Sequence, residues 1–505
     1  MAVLLTTVGS ALTSVAPYVV PALLTYCLLY ITRQVLLHPL SNYPGPFIAS
    51  LSEAYNGFWT AKKSMHLIVR ANHIKYDIYK NDRITKVINY MALGPGLATQ
   101  IMFTSPNKEF HRARRQVIGQ ILTDKSMHAF EPTMTSQVDI FVQQLLDDSE
   151  KASAVNISER TRRLTTDIAS LLGFGYDLGL QVHEENRFLL PIIDKVMPMS
   201  NLFYHWYSLR TKLRWISVFF SNEMRERYLG LMEKMVKSRM ALDKDARHDL
   251  YSFVADDLDS GSGSLRQSDL WAECNFFLTA AGETSKSALS ATFFYLSRNP
   301  GCYRKLADEI RSTFSSGSDI RGTSLAGCRY LRACIDESLR ISPPGPGIFW
   351  RERAADDSDS QPLVIDGHVI PPGTVFGLNT YSLHHDENYF PDSFAYIPER
   401  WLGSDESTKR ANNAFAAFSV GARACAGKSV AYLEMGLVIA KTLWHLDFEA
   451  APGPLGSIGA GGPGLGLGRD KPGEFQLYDV FNSCHDGPYL LFKSRGDVGK
   501  HITKS

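Results

Sequence analysis

The hydrophobic pattern of the chain begins with a long segment that carries no charge. No charged side chain occurs from Met1 to Thr32, and the apolar run from Pro17 to Ile31, with the preceding residues 11–16, reaches the ~20 residues that a membrane-spanning helix needs. A cleaved signal peptide is the alternative, but neither a basic amino-terminal region nor a small-x-small cleavage site is clear. We therefore predict that residues 1–37 form a single-pass membrane anchor.

The charges and prolines that follow this segment indicate where the anchor ends. Arg33, Lys62 and Lys63 come after it, and basic residues on this side favour a cytosolic position for the rest of the chain. Prolines at positions 39, 44 and 46 restrict the backbone and prevent a helix from continuing. We predict a proline-rich hinge at 38–46 and the main domain at 47–505.

Helical periodicity dominates the remaining chain and predicts a mainly α-helical fold. Residues 125–250 are amphipathic throughout, and an apolar run extends from Ser268, which suits an N-cap, to about Ser297. A helix of this length would measure ~45 Å and would cross a whole domain. Residues 280–285 in its middle contain a glycine, an acid and two hydroxyl side chains. Such polarity in an apolar helix indicates either a solvated kink or a functional site.

Strand signals are confined to the second half of the chain and predict a small β-rich lobe. Residues 343–352 indicate a bend that enters a strand, and residues 364–376 are typical of a hairpin. Just before the bend, Glu337 and Arg340 lie three residues apart at the end of a predicted helix, where they share a face and can pair. The glycine-rich residues 451–473 are interpreted as a flexible insertion.

Composition excludes several function classes. Of the 505 residues, 44% are hydrophobic and 21% charged, which is typical of a globular protein. The net charge of +1 gives no basic footprint for nucleic acid. The seven cysteines are scattered and contain no C-x-x-C pair. This pattern argues against a disulfide framework or a zinc module and favours a reducing compartment.

One cysteine lies in a glycine-bounded loop directly before a predicted helix, in the segment Phe418-Ser419-Val420-Gly421-Ala422-Arg423-Ala424-Cys425-Ala426-Gly427. Unpaired N–H groups and the helix dipole would lower the pKa of the Cys425 thiol, and a thiolate is a good ligand for a soft or borderline metal, of which haem iron is one candidate. Gly421 and Gly427 would let the backbone pass close to a flat ligand. Phe418 could shield the sulfur, and Arg423 could pair with a carboxylate. An ordinary buried cysteine is the alternative.

The complete pattern Phe-x-x-Gly-x-Arg-x-Cys-x-Gly resembles the haem-binding loop of the cytochrome P-450 family of haem-thiolate monooxygenases. The resemblance implies that Cys425 is the axial ligand of the haem iron and that Arg423 contacts a haem propionate. It also implies that His111 and Arg115, four residues apart on one face of a predicted helix, and Arg351 bind the propionates. Many members of the family have Trp where His111 stands here.

Two further segments resemble motifs of the same family. Residues 280–285 are similar to its oxygen-activating motif, which implies that Thr284 donates a hydrogen bond to dioxygen and that Glu283 helps to deliver protons. The family usually has glycine at position 281, where this chain has alanine, and Gly282 is displaced by one position. Glu337, Arg340 and Arg400 are similar to the structural triad that locks the fold beneath the haem.

The resemblance covers residues 38 to about 495 and implies a cytochrome P-450 fold with a haem cofactor. The implied reaction oxidises a lipophilic small molecule with dioxygen and with electrons from NADPH. These electrons would come through a partner NADPH-cytochrome reductase, with cytochrome b5 as a further donor. The hinge and residues 343–352 look most like filamentous-fungal members of the endoplasmic reticulum that make secondary metabolites such as polyketides, terpenoids or alkaloids.

Two other functions are open to a haem-thiolate protein. The sequence also contains two motifs that suggest other kinds of site. A haem-thiolate isomerase or dehydratase would need no reductase, and Thr284 argues against it; the other alternative is a non-enzymatic haem-binding membrane protein. The run His384-His385-Asp386-Glu387 suggests a metal cluster, but consecutive residues cannot all point one way, so we expect it at the surface. Residues 459–464 match G-x-G-x-x-G without the strand and helix of a nucleotide site. We therefore expect no nicotinamide or flavin site in this chain.

Overall fold

The structure, a computed structural model of the chain, is mainly helical, as the hydrophobic pattern predicts. It describes residues 2–41, 46–69, 78–94, 100–212, 222–259, 267–355, 357–365 and 367–496. Residues 42–45 of the predicted hinge lie outside these ranges, as does the segment 260–266.

The helices begin where the sequence supplies caps. Asn107, Thr123 and Asn156 accept hydrogen bonds from first-turn N–H groups of three successive helices. The helices of the described ranges are α1 (Ala2–Thr32), α2 (Phe47–Leu51), α3 (Ala54–Ala61), α4 (Met65–Val69), α5 (Lys108–Ile118), α6 (Asp124–Glu150), α7 (Ile157–Phe174), α8 (Leu189–His205), α9 (Tyr207–Lys212), α10 (Asn222–Met240), α11 (Leu250–Asp259), α12 (Gln267–Arg298), α13 (Pro300–Thr313), α14 (Gly322–Ala326), α15 (Arg329–Ile341), α16 (Thr380–His384), α17 (Glu406–Ala414) and α18 (Lys428–His445).

The strands form small antiparallel sheets, and one pairing matters for the site. β1 pairs with β3 so that Lys86 lies opposite Arg351. β9 is flanked by β2 and β6, whereas β4–β5 and β7–β8 are hairpins. The β4–β5 hairpin corresponds to the predicted one. The strands are β1 (Ile84–Lys86), β2 (Val155–Asn156), β3 (Arg351–Arg353), β4 (Leu363–Ile365), β5 (His368–Ile370), β6 (Leu446–Ala450), β7 (Tyr478–Val480), β8 (Asn482–Cys484) and β9 (Tyr489–Ser494).

The long helix α12 runs through the core and lies very close to α7. A Cβ added at Gly282 would lie 3.0 Å from the Thr166 hydroxyl, and the Thr165 hydroxyl donates a hydrogen bond to the Gly282 carbonyl oxygen at 2.8 Å. The helix continues through this point without a break. The glycine therefore permits close packing of two helices, and the solvated kink considered from the sequence does not occur.

The amino-terminal helix stands apart from this core. Its stretch Pro17–Leu37 has a mean hydropathy of 1.5, is long enough to cross a membrane, and is not buried by the rest of the protein. The Tyr30 hydroxyl donates a hydrogen bond to the Leu51 carbonyl oxygen at 2.8 Å, which joins the end of this helix to α2. Phe47 and Ile48 on α2 are exposed. This arrangement is consistent with the predicted membrane anchor.

The expectation that His384 and His385 lie at the surface is wrong. Both side chains are buried. The Ala416 N–H donates a hydrogen bond to His384 Nε2 at 2.9 Å, and His384 Nδ1 lies 3.0 Å from the Arg340 carbonyl oxygen. No cluster of three or more potential metal ligands occurs among the described residues. These histidines are therefore core residues that satisfy backbone groups.

Two smaller expectations also need correction. Helix α12 begins at Gln267, so Ser268 lies in its first turn and is not the N-cap. In the segment 451–473, the Gly461 N–H bonds the Glu474 carbonyl oxygen and the Gly462 N–H bonds that of Arg469. The buried Arg469 side chain in turn donates to the Leu477 carbonyl oxygen at 2.8 Å. The segment is thus an internally hydrogen-bonded loop.

Candidate active site

The loop before α18 holds Cys425 in a closed backbone conformation. Ser419 and Gly421 have positive φ angles of 55° and 75°, which turn the chain sharply. The Cys425 N–H then donates a hydrogen bond to the Phe418 carbonyl oxygen at 2.8 Å. Helix α18 starts at Lys428, so Cys425 lies just before a helix, as predicted.

The two glycines of this loop have different surroundings. A Cβ at Gly421 would lie 2.0 Å from the Tyr79 carbonyl oxygen, so Gly421 allows a contact with backbone. It does not line the cavity that Cys425 faces, which corrects the expected role beside a flat ligand. A Cβ at Gly427 would meet no atom within 4 Å, and Gly427 does line that cavity. Gly427 therefore leaves open space at the cavity wall.

The Cys425 thiol opens into a large cavity between α12, α5 and the β7–β8 hairpin. The residue is exposed to the cavity by accessible surface, but protein atoms surround the sulfur on several sides. This burial raises the pKa of the thiol, although the Gly427 N–H, Arg115 and Lys428 act in the opposite direction. The expectation of a lowered pKa is therefore wrong for the protein without a bound cation. The predicted helix-terminus effect exists, but burial outweighs it.

The walls of the cavity are largely apolar and include several aromatic rings. Phe418 lines it beside Cys425, with its ring 5.0 Å from that of Tyr432. Phe103 and Phe276 stack at 4.6 Å between ring centroids. Other phenylalanines that line the cavity are Phe277, Phe349 and Phe481. A site of this kind accepts flat, apolar molecules.

Basic side chains collect at one end of the same cavity. They are Lys86, His111, Arg115, Arg351 and Arg423. Their neighbours in the described part of the chain are other cations, tyrosines and carbonyl groups, without a carboxylate. Burial, reinforced by Arg351, Arg423 and Arg115, holds the pKa of Lys86 well below its usual range. Uncompensated positive charge in a buried place indicates a site for an anionic group.

Hydrogen bonds to carbonyl and hydroxyl oxygens orient these basic groups. Arg115 donates to the Ala424 carbonyl oxygen at 2.6 Å and thereby touches the cysteine loop. Arg423 donates to the Ser105 carbonyl oxygen at 2.9 Å, and Arg351 donates to the Tyr90 hydroxyl at 2.8 Å. Burial and the surrounding cations lower the pKa of His111 to about 3, so this imidazole is neutral.

Thr284 and Glu283 face different sides of α12, about 100° apart around the helix. Thr284 lines the cavity, and its hydroxyl donates a hydrogen bond to the Ala280 carbonyl oxygen at 2.6 Å. Glu283 does not line the cavity. Its buried carboxylate pairs with Arg162 and with Lys286, each at 2.7 Å. The structure therefore separates the two residues that the motif grouped, and it gives Glu283 an ion-pairing position.

A different acid lies behind the cavity wall near Thr284. Glu434 on α18 is buried and hydrogen-bonded to Ser285, which lines the cavity. Burial raises the pKa of Glu434 to about 8, and its Oε1 atom has no hydrogen-bond partner. At neutral pH this carboxyl therefore carries a proton, which Glu283 does not.

The three residues of the predicted triad meet in the protein core. Glu337 and Arg340 are fully buried and form two hydrogen bonds of 2.9 and 3.0 Å. Arg400 reaches the same carboxylate at 3.2 Å, and the Trp401 indole donates to it at 3.1 Å. Arg340 also donates to the carbonyl oxygens of His384 and Ser393. The triad joins four separate segments and lines no part of the cavity.

Comparison with known proteins places this geometry in a family. A profile of the family Cytochrome P450 matches residues 45–457. The cytochrome P450 monooxygenase apf7 of Gibberella fujikuroi is 30% identical over 92% of this chain and 95% of its own length. The cytochrome P450 monooxygenase AKT7 of Alternaria alternata is 31% identical, with coverage of 93% and 96%. A crystal structure of a cytochrome P450, CYP102L1, has a TM-score of 0.66 at 21% identity and covers 86% of this chain and 88% of that chain.

The chain belongs to the cytochrome P450 family. The predicted family, fold and enzyme class are thereby confirmed, and the isomerase and non-enzymatic alternatives are not favoured. Haem is the cofactor of this family. The residues of this cytochrome P450 fit it, because a thiol and an open glycine face one part of the cavity while unpaired cations face another. Two propionate groups would supply the missing negative charge.

Sequence reasoning missed two polar residues that line or adjoin the cavity of this P450. Lys86 is the last residue of a three-residue strand, and its amine lies 3.8 Å from the Phe103 ring centroid and 4.4 Å from that of Tyr90. A lysine in the apolar stretch Ile84–Val87 was the available signal. Glu434, within the helix after the cysteine loop, was a comparable signal, because burying an acid among apolar residues costs free energy unless the acid has a partner.

Proposed function

We propose that this cytochrome P450 is anchored in the endoplasmic reticulum membrane and oxidises a lipophilic secondary metabolite, using dioxygen and electrons from NADPH delivered by a partner reductase. Residues 1–37 are the anchor, 38–46 the hinge, and 47–505 the catalytic domain on the cytosolic side. The observation that carries the proposal is the Cys425 thiol, which opens into an aromatic cavity with unpaired cations at one end.

The roles of the residues follow from their positions around the cavity. Bound haem supplies the activation of dioxygen. Cys425 would hold the haem through its sulfur, and its pKa, raised by burial in the protein alone, would fall when the sulfur binds a cation. Lys86, Arg115, Arg351 and Arg423 hold the propionates, with neutral His111 as a hydrogen-bond donor. The phenylalanine walls exclude water and hold an apolar substrate.

Proton delivery in this proposal runs through Thr284. Its hydroxyl now donates to the Ala280 carbonyl oxygen, and rotation about one bond would turn the same proton into the cavity. Glu434, protonated at neutral pH and bonded to Ser285, can replace that proton. Glu283 supports this arrangement indirectly, because its ion pairs with Arg162 and Lys286 fix the helix on which Thr284 lies.

The source of the electrons and the substrate class rest on the family and on the cavity. The G-x-G-x-x-G match at residues 459–464 lacks the strand and helix of a nucleotide site, so this proposal takes the electrons from an external NADPH-cytochrome reductase, to which cytochrome b5 can be a second donor. The similar monooxygenases come from filamentous fungi, and an aromatic cavity suits polyketides, terpenoids or alkaloids. The exposed span Pro17–Leu37 would keep the enzyme where such lipophilic molecules dissolve.

The test is reconstitution of the full-length protein in lipid with a fungal reductase. The ferrous protein with carbon monoxide should show the red-shifted Soret band of a thiolate ligand, and Cys425→Ser should abolish this band while the chain still folds. Consumption of NADPH and dioxygen should require the reductase. A mutant that keeps the shifted band would remove Cys425 as the ligand. Turnover of a substrate without reductase would favour the isomerase alternative.

A further inference from the structure

The β7–β8 hairpin ends in a turn of a single residue that faces the cavity. Val480 pairs with Asn482, so Phe481 alone reverses the chain and adopts a φ of 82°. A phenylalanine in this conformation is strained and persists only where surrounding contacts hold it. Such strain concentrates at functional sites. The turn aims two neighbouring side chains, those of Phe481 and Asn482, into the cavity.

The base of the hairpin is fixed to three separate parts of the protein. The Asp479 N–H donates to the Lys63 carbonyl oxygen at 3.0 Å, and the Ser483 N–H donates to that of Pro344 at 2.8 Å. The Ser287 hydroxyl of α12 donates to the Ser483 carbonyl oxygen at 3.0 Å. The tip therefore cannot turn away from the cavity without breaking buried hydrogen bonds.

Phe481 is held by aromatic contacts, but Asn482 has no comparable partner. The Phe481 ring lies 5.3 Å from Tyr204 and 5.7 Å from both Phe103 and Phe349. Asn482 is 9% exposed, lines the cavity, and makes no side-chain hydrogen bond with any residue that the structure describes. Its amide atoms are not sealed by protein. They can therefore bond to water or to a molecule inside the cavity that Asn482 lines.

Three other uncharged polar side chains on the cavity wall are already engaged, whereas the Ser419 hydroxyl is buried without a hydrogen-bond partner among the described residues. The hydroxyl of Thr279 donates to the Phe276 carbonyl oxygen, and that of Thr284 donates to Ala280. The Tyr90 hydroxyl accepts a hydrogen bond from Arg351. Asn482 differs because both its N–H donors and its carbonyl acceptor are free. Leaving these amide groups without hydrogen-bond partners in an apolar cavity is unfavourable.

We propose that Asn482 anchors the substrate by donating a hydrogen bond to a carbonyl or hydroxyl oxygen of an otherwise flat, apolar molecule. The inference rests on the proposed function and narrows its substrate class to oxygen-bearing aromatic or polycyclic compounds. Phe481 packs against the apolar frame, and Asn482 fixes which edge of it faces the haem. A pure hydrocarbon of the same shape offers the Asn482 amide no hydrogen-bond acceptor and therefore binds more weakly.

The experiment uses imidazoles as probes, because their nitrogen binds haem iron and shifts the Soret band irrespective of the natural substrate. A series of N-phenylimidazoles carries either an acetyl group or its shape match, an isopropenyl group, at the ortho, meta or para position. Dissociation constants are measured by Soret titration for full-length wild type, Asn482→Leu and Asn482→Asp. Asn89→Leu is the matched control, since its amide donates to the Tyr204 carbonyl oxygen outside the cavity lining.

At one ring position or more, wild type should bind the acetyl probe about tenfold more tightly than its isopropenyl match. Both Asn482 variants should reduce this ratio to about one, and Asn89→Leu should keep it. Asn482→Asp keeps the size and polarity of the side chain, so it remains informative if Asn482→Leu does not fold. Equal ratios in wild type and the variants across all positions would overturn the anchor. Absence of any azole shift in wild type would instead overturn the haem assignment.

Discussion

The protein contains two buried groups of charged residues that differ in one respect. In the triad, the Glu337 carboxylate faces Arg340 and Arg400, so the positive and negative groups meet within the chain. At the end of the cavity, Lys86, Arg351 and their basic neighbours meet no carboxylate among the described residues. A paired group can only stabilise the fold. An unpaired group is available for a ligand.

The same distinction separates two buried glutamates. Glu283 is enclosed by Arg162 and Lys286, which hold its pKa below the usual range although burial acts to raise it. Glu434 has one hydroxyl partner and one unpartnered oxygen, and burial raises its pKa to about 8. Pairing within the chain, more than burial or proximity in sequence, identifies which polar residue is free to do chemistry.

The largest effect is expected from breaking the paired group. Glu337→Ala leaves two buried guanidinium groups without a counter-charge, so the free energy of unfolding should fall by about 3–5 kcal/mol. Thermal unfolding in detergent measures it. Glu399→Ala is the matched control, because Glu399 forms a half-exposed pair with Lys305 that is worth about 0–1 kcal/mol. Similar melting of both variants would mean that the triad does not lock the fold.

The next effect concerns the Thr284 hydroxyl, whose hydrogen-bond partner is a carbonyl oxygen of its own helix. Positioned proton transfer contributes ~10²–10⁴-fold, so Thr284→Ala should lower product formed per NADPH by about 10²-fold and release peroxide. Thr292→Ala is its control, since Thr292 makes the same bond to a carbonyl four residues earlier but lies outside the cavity lining. Both are assayed with the substrate found by metabolite profiling after gene deletion. Equal coupling in the two variants would show that Thr284 merely bonds its own helix.

A third variant removes one charge from the unpaired group. Lys86→Met should weaken haem retention by about 10–100-fold, since a hydrogen bond to a charged group contributes about 1.5–3 kcal/mol. Transfer of haem to apomyoglobin measures this loss. Lys441→Met is the control, because Lys441 is also buried but pairs with Asp139 at 2.6 Å. It should lower stability and leave haem transfer unchanged; the opposite pattern would contradict the assignment of Lys86 to the propionates.

The smallest effect is a difference in how stability depends on pH. The folded pKa of Glu434 lies above its unfolded value of 4.5, so its stabilising contribution is complete below pH 4.5 and is lost as pH rises towards about 8. The folded pKa of Glu283 lies below 4.5, so its contribution is present above that pH and is lost on acidification. The slope of melting temperature against pH should therefore become more positive than in wild type for Glu434→Gln between pH 4.5 and 8, and more negative for Glu283→Gln below pH 4.5. Parallel curves would refute the distinction.

The sequence predicts those parts of the site that depend on local spacing. The cysteine loop and the Glu337–Arg340 pair are set by residues close together in the chain, and the structure shows them as expected. The direction of single side chains could not be predicted. Helix α12 is apolar around much of its surface, so the sequence does not tell that Thr284 meets the cavity while its neighbour Glu283 meets α7.

Contacts between residues that are far apart in the chain could not be predicted from the sequence either. Lys86 joins the basic group because β1 pairs with β3 in a register that sets it opposite Arg351. His384 is buried because the Ala416 N–H and the Arg340 carbonyl reach its ring from other elements. Asn482 faces the cavity because one strained residue reverses the hairpin. Each of these outcomes depends on a tertiary contact that no periodicity records.

The strained turn at Phe481 has a consequence for divergence within this enzyme lineage. A single substitution there, for instance to glycine, accepts the φ of 82° without strain and removes the aromatic ring beside the asparagine, without touching Cys425 or the triad. Mutations at the tip therefore change which molecules are accepted while the reaction chemistry is inherited intact. After gene duplication, one copy can come to accept a new substrate through a single amino-acid substitution at this tip. The rest of the protein then stays under its former selection.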